Sequence, residues 1–341
     1  MPPRLPPNLV ALFSQALNSF QLSDSTFRVL CSIVSSAVPD TIHAQPPILP
    51  PKIILVLDSS FNPPTQAHRR MALSALSDPR YQPGEAVDDL VIEARGLSEV
   101  ASTSRVLLLL AINNADKAPK PAGFPERLAM MHIFAQQLVE ESAEKRSPVA
   151  HGEEGANGGA GCEAVDIAVT TEPYFHAKCQ AIATSDFYSG TEYADSLASA
   201  VSIDNAIDSE QVYLAGFDTL VRIFNPKYYP DNSMKRSLDP LFAHSSLRVT
   251  MRTGDEWGGT AQQIAYLDDL RAGKLEEAGG RVEWLEKVEM VQGRKDDEEI
   301  VSSTKIRDAV RGQDWDALKL LVSTDIVAFI REHGLYCKED A

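Results

Sequence analysis

Residues 53–72 read IILVLDSSFNPPTQAHRRMA. The apolar run 53–57 stops at Asp58, a polar turn with two adjacent prolines follows, and from Gln66 onward the spacing is helical. The run is continuous rather than alternating, as in a strand covered on both faces of a parallel sheet. The segment therefore predicts a core strand over 53–57, a turn over 58–65 and a helix over 65–77. In open parallel sheets ligands bind beyond the carboxyl ends of the strands, so the turn lies where a ligand would. A helix start leaves N–H groups unpaired, and its dipole favours an anion by about 0.3–1 kcal/mol per exposed charge. Ser59 and Ser60 let the backbone pass close to a ligand, Pro63 and Pro64 stiffen the turn, and Thr65 can cap the helix. His68 falls in the first turn, within reach of the same anion. It also shares a face with Ala72, Ala75 and Leu76, so packing beneath the sheet is its competing structural role.

Outward from this unit the pattern repeats. Strand-like runs recur at 105–112, 165–170, 211–217 and 247–251, with helical spacing between them at 125–145, 176–184, 218–225 and 260–279. Alternation of this kind predicts βαβ units and an α/β fold: a doubly wound, mostly parallel sheet. Further helices are expected at 303–312, 314–322 and 324–332, the last stopping at Gly334. Before the first core strand, residues 8–37 carry apolar side chains at mixed helical spacing and predict two short helices joined near Leu22–Ser25. Five prolines in 38–51 mark an irregular connection. The expected organisation is an N-terminal helical extension with its Pro-rich connection over 1–45 and the main domain over 46–341. Two insertions are expected: a mobile, glycine-rich one at 147–163 (SPVAHGEEGANGGAGCE) and a solvated charge run at 292–299 (QGRKDDEE).

The 341 residues carry a formal net charge of −16. That field disfavours nucleic-acid polymers and anionic membrane surfaces, yet a local cluster of Lys and Arg can still hold a small phosphate. Cys31, Cys162, Cys179 and Cys337 form no CxxC pair and no zinc spacing, which suits reduced thiols. No apolar run approaches the roughly 18–20 residues of a membrane span. The expected location is the cytoplasm, with the nucleus as a second one.

A second stretch carries chemistry: VSSTKIRDAVRGQ, residues 301–313. Ser302, Ser303 and Thr304 supply caps and free N–H donors; Lys305 and Arg307 supply charge. Taken alone, it is an ordinary capped helix with surface cations. Arg307, however, sits one turn inside its helix as His68 does in the other, so two helix starts could face one polyphosphate. Neither GxxxxGK[ST] nor GxGxxG occurs in the chain.

SFNPPTQAH (60–68) resembles the SFNPxTxxH motif of nicotinamide and nicotinic acid mononucleotide adenylyltransferases, within the HxGH nucleotidyltransferase superfamily, and SSTKIR (302–307) resembles their ISSTxIR signature. Between them, LAGFDTLVRIFNPKYY (214–229) is similar to the family's strand–GxD–helix segment, and AINNADKAPKPAGFPERLAMM (111–131) to its basic loop followed by RxxM. The resemblance spans roughly residues 52–312 and is to the divergent fungal branch. It implies a Rossmann-like nucleotidyltransferase fold and attack of a mononucleotide phosphate on the α-phosphorus of ATP, giving NAD or deamido-NAD and pyrophosphate. It further implies that His68 donates to the α-phosphate with Thr65 in support, that Lys117 and Lys120 hold phosphates, and that Arg307 with Ser303 and Thr304 holds the departing β,γ-phosphates. Asp218 would accept from a ribose hydroxyl, with capping of helix 218–225 as its competing structural role, Gly216 would allow close approach, and Ser59, Ser60 and Phe61 would meet the mononucleotide. Mg²⁺ would ride on ATP phosphates, with no dedicated metal site in the protein.

Tyr174 or Phe175 could stack on the pyridine ring, and Arg127 could hold a carboxylate structurally. Three residues depart from the pattern: Thr65 stands at the first His of HxGH, Ala67 at its Gly, and Ser59 at the Gly that commonly precedes SF. Trp257, Trp284 and Trp315 all lie too late to match the family's ring-stacking Trp. Two other readings stand beside this one: another adenylyl- or cytidylyltransferase, and a nucleotide-binding regulatory or scaffold protein whose N-terminal helices meet protein partners.

Overall fold

Seven strands form one sheet in the computed structural model of the chain, which describes residues 6–34, 41–47, 50–81, 104–113, 122–144, 164–189, 209–252, 257–293, 301 and 303–337. The strands are β1 (Phe27–Val34), β2 (Ile53–Asp58), β3 (Ser104–Ala111), β4 (Ala164–Thr170), β5 (Glu210–Gly216), β6 (Ser245–Thr250) and β7 (Val288–Val291). Their spatial order is β1-β4-β3-β2-β5-β6-β7. All neighbours run parallel except β1, which pairs antiparallel with β4. The chain moves from β2 to β3 and β4 on one side, then returns to β5 and β6 on the other. The carboxyl ends of β2 and β5 therefore flank the point where strand order reverses, the favoured ligand crevice of such sheets.

Apolar residues on both faces of the strands create two cores. Leu55, Leu57, Val106, Leu108 and Leu110 face α1 (Leu9–Gln21), α2 (Gln66–Leu76), α3 (Phe124–Glu144), α8 (Ser303–Arg311), α9 (Trp315–Leu321) and α10 (Thr324–Glu332). Ile54, Val56, Leu107, Leu109 and Tyr213 face α4 (Phe175–Ala183), α5 (Phe217–Ile223), α6 (Met234–His244) and α7 (Thr260–Asp269). Fully burying each such side chain is worth about 1.5–3 kcal/mol. The last helix stops as expected: Gly334 takes φ +58, and Leu335 N–H donates to Ile330 O at 3.0 Å, with Gly334 N–H to Arg331 O at 3.4 Å. That is the Schellman arrangement, which needs a residue without a Cβ penalty at the left-handed position.

Several elements differ from the expectation. Residues 27–34 form β1 rather than a second N-terminal helix. Their side chains are buried at nearly every position, and a short continuous apolar run suits a buried strand or helix equally until a partner is known. The helix α6 was absent from the expectation because Pro240 lies inside it, and β7 because its four residues are short and edge-placed. The single helix expected over 260–279 is interrupted: a wide π-type turn covers Leu270–Lys274, with Gly273 at φ +121. The glycine-rich insertion 147–163 and most of the charge run 292–299 lie outside the described residues.

Candidate active site

The turn after β2 is built around Phe61. This residue adopts φ +44, an uncommon conformation for a bulky side chain, and its ring is fully buried, 5.3 Å from the His68 ring and 6.5 Å from that of Phe134. Packing of the ring offsets the backbone cost, of order 1–3 kcal/mol. Phe61 was expected to meet the mononucleotide; with its ring in the core, only its backbone is available. Ser60 beside it is exposed. Asn62 is buried, and its Oδ1 accepts from the Tyr336 hydroxyl at 2.9 Å.

Thr65 caps α2 as expected. Its Oγ1 accepts from the His68 N–H at 3.4 Å, while Thr65 N–H donates to His68 Nδ1 at 3.0 Å, a reciprocal capping box in which histidine takes the role usually played by Glu. Thr65 Oγ1 also lies 3.0 Å from Nδ1. The remaining ring nitrogen, Nε2, is 2.9 Å from Ser59 Oγ. Burial, reinforced by the nearby charge of Arg252, lowers the His68 pKa to about 4. Near neutral pH the ring is uncharged. Because Nδ1 accepts the Thr65 amide hydrogen, the ring's own hydrogen is on Nε2. His68 is thus neither a free cation nor mere core: it is a neutral donor fixed at both ends.

Across the switch point, Gly216 precedes α5. A Cβ at Gly216 would fall 2.7 Å from Asp218 Oδ1, so the glycine admits that carboxylate against the end of β5. Asp218 makes no cap; it pairs with Arg252 at 3.3 Å and with Arg222 at 3.8 Å. Arg252 follows β6, and its backbone is held by the buried amide of Gln263: Arg252 N–H donates to Gln263 Oε1 at 3.1 Å, and Gln263 Nε2 donates to Arg252 O. Arg307 and Thr304 lie in the first turns of α8, Thr304 exposed and Arg307 half-buried. Tyr336 joins this end to the first turn, since its hydroxyl reaches Asn62 and its electrostatics are shaped by both Arg127 and Arg307.

Of the other expected residues, Tyr174 is 40% exposed at the start of α4, its ring parallel to that of His176 with centroids 5.8 Å apart. Phe175 instead packs edge-on against Tyr213. Among the described residues Arg127 holds no carboxylate: its Nε donates to Ala122 O at 2.8 Å and its guanidinium lies over the Phe124 ring. Lys117 and Lys120 lie outside the described residues, as does Ser302; α8 starts at Ser303, whose side chain is not described.

Sequence reasoning missed three features. Arg252 carries a signal, a cation immediately beyond a core strand. Asp58 and Lys178 form a buried ion pair at 2.5 Å linking the end of β2 to α4; a lone Lys on an otherwise apolar helix face was the clue. Tyr336 follows the Gly334 stop and had no local signal. Together the carboxyl edge offers a neutral donor, arginines and open helix starts, a set suited to neutralising a polyphosphate. Asp58 and Asp218, at the ends of β2 and β5, are both engaged by cations.

No protein-family model matches the chain. A curated Schizosaccharomyces pombe protein, which carries the name nicotinamide mononucleotide adenylyltransferase by inference, is 30% identical over 281 residues, covering 82% of this chain and 84% of its own. Two Plasmodium falciparum nicotinic acid mononucleotide adenylyltransferase structures, complexed with NaAD and with APC, align over 84% of this chain and 97% of theirs. Their TM-scores are 0.37 and 0.39 at 12% and 10% identity, too distant to inform the site.

Proposed function

The chain belongs to the nicotinamide mononucleotide adenylyltransferase family, and from that premise we propose that it transfers the adenylyl group of ATP to nicotinamide or nicotinate mononucleotide, giving NAD or deamido-NAD and pyrophosphate. The observation that carries the reading is the neutral, doubly anchored His68 at the switch point, near enough to Arg252, the partner of Asp218, to feel its charge. The mononucleotide phosphate oxygen attacks the α-phosphorus, the bond to the bridging oxygen breaks, and its electron pair leaves with pyrophosphate. No covalent enzyme intermediate is required, so the protein contributes positioning and charge stabilisation. In this reading His68 supports the α-phosphate from the first turn of α2, with Thr65 setting its tautomer. Arg307, Thr304 and the backbone at Ser303 hold the departing phosphates; Lys117 and Lys120 hold phosphate from the basic loop. Asp218, oriented by Arg252 and admitted by Gly216, accepts from a ribose hydroxyl. Ser59, Ser60, the Phe61 backbone and Tyr174 line the mononucleotide side.

Mg²⁺ fits this site as an ion carried by ATP phosphates and water, because Asp58 and Asp218 already answer Lys178 and Arg252. Its contribution is to draw charge from the phosphates. Protein partners, if engaged at the N-terminus, would meet the polar face of α1, since Leu9, Phe13, Leu17 and Phe20 are buried within the molecule. The proposed location is cytoplasmic, with the nucleus second; cell fractionation tests it.

The deciding experiment is product analysis after incubation with ATP, Mg²⁺ and each mononucleotide. NAD or deamido-NAD is expected, and neither appearing would end the reading. His68→Ala should lower kcat about 10²–10³-fold, the scale of losing one transition-state donor.

A further inference from the structure

Both nitrogens of His68 are occupied before any ligand arrives. Nδ1 takes the Thr65 amide hydrogen at 3.0 Å, and Nε2 is 2.9 Å from Ser59 Oγ. A phosphate oxygen cannot take the Nε2 hydrogen without displacing Ser59. The serine itself is held at the sheet edge, its backbone N–H donating to Leu109 O at 3.2 Å. Its hydroxyl oxygen accepts from the imidazole, so its own hydrogen is free to point elsewhere, and among the described residues it has no acceptor. Ser59 is half-buried at the carboxyl end of β2 and beside the exposed Ser60, where the crevice opens.

We propose that the Ser59 hydroxyl is a direct donor to the α-phosphate during adenylyl transfer, the terminal link of a hydrogen-bond chain running from the Thr65 amide through both nitrogens of His68. This rests on the adenylyl-transfer reading above. A hydroxyl that accepts a hydrogen bond becomes a better donor, because chained bonds polarise one another. The neutral ring suits this role: it holds the serine oxygen without adding a charge that would bind the ATP ground state equally well. Ser59 keeps its proton throughout. The new bond joins the mononucleotide phosphate oxygen to the α-phosphorus, and the electron pair of the broken bond leaves on pyrophosphate. Ser59 is thereby a catalytic residue and His68, acting through it, a positioning one.

The test compares full-length wild type with Ser59→Ala, Ser59→Gly and Ser59→Thr in steady-state turnover of ATP and nicotinamide mononucleotide. Alanine and glycine should each lower kcat about 10–100-fold while KM for ATP stays within about threefold, and threonine should restore most of kcat. In ¹⁵N-histidine NMR, the His68 Nε2 resonance should move in Ser59→Ala and stay in place in Ser59→Thr. Alanine and glycine variants as fast as or faster than wild type would overturn the proposal, because the serine would then merely occupy His68 until ATP displaces it. A change confined to KM would overturn it as well. If Ser59→Ala is fully active while His68→Ala is inactive, only this inference falls; if both are fully active, the catalytic reading of His68 falls with it.

Discussion

Two histidines have the same depressed pKa, about 4, for different reasons. His68 is held neutral by burial and Arg252, and both of its nitrogens are bonded. His132, on α3, is completely buried with its ring edge-on to Phe13 at 6.2 Å, and among the described residues neither nitrogen has a hydrogen-bond partner. In the unfolded chain both would take up a proton near 6.5, the ordinary value for histidine, whereas the folded protein resists until about 4. The unfolded state therefore binds more protons in this window, and stability falls as pH drops from about 6.5 towards 4. Replacing His132 with Leu removes a buried polar group without a partner, so His132→Leu should be about 1–3 kcal/mol more stable at pH 7. Its stability should also decline less steeply on acidification, by up to about 1.4 kcal/mol per pH unit; urea titrations at pH 7 and 5 check both. For activity, the same shift means that protonation of His68 produces no acid limb near pH 6.5 in a kcat profile; that limb should lie near pH 4.

At the level of elements, the site depends on joints between strands and helices far apart in sequence. Lys178 and Asp58 are 120 residues apart yet nearly fully buried together, tying α4 to the end of β2 just before Ser59. A buried pair is weak evidence of net stabilisation, but stranding one partner is costly. Lys178→Met should lose about 3–5 kcal/mol in denaturant titrations, and the double variant Asp58→Asn/Lys178→Met should recover much of it. No recovery in the double variant would mean that the lysine acts through packing over the Phe175 ring, 5.2 Å away, rather than through charge. A second joint is Tyr336, whose hydroxyl secures Asn62 from beyond the last helix. The C-terminal turn thereby braces the loop that follows β2.

Across the whole molecule, the N-terminal segment is part of the sheet. α1 buries Leu9, Phe13, Leu17 and Phe20 and packs against α3, while β1 covers the edge of β4 from Phe27↔Thr170 to Val34↔Ala164. At about 1.5–3 kcal/mol per side chain, the four residues of α1 contribute roughly 6–12 kcal/mol, as large as a typical domain's net stability of about 5–15 kcal/mol. Removing residues 1–34 would also uncover β4, an apolar edge prone to pairing with other chains. The truncated protein should aggregate or lose its cooperative thermal transition, measured by size-exclusion chromatography and circular dichroism. A monomeric, cooperatively melting truncation would show that the first strand and helix are dispensable.

What the sequence determined by itself was local. The continuous apolar runs placed five of the seven strands, Thr65 and Gly334 marked a helix start and a helix stop, and the SFNPPTQAH turn put His68 one turn into α2. Each of these follows from backbone geometry within a few residues. Tertiary structure decided the rest. Whether 27–34 became helix or strand depended on the presence of β4 as a partner; whether Asp218 capped a helix or met an arginine depended on β6 lying beside β5. The charge state of His68 followed from what surrounds it, and the hold of Ser59 on its second nitrogen from the way the turn folds back on α2. Such pairings are set by strand order and burial, and a pattern within one segment does not encode which other segment will lie beside it.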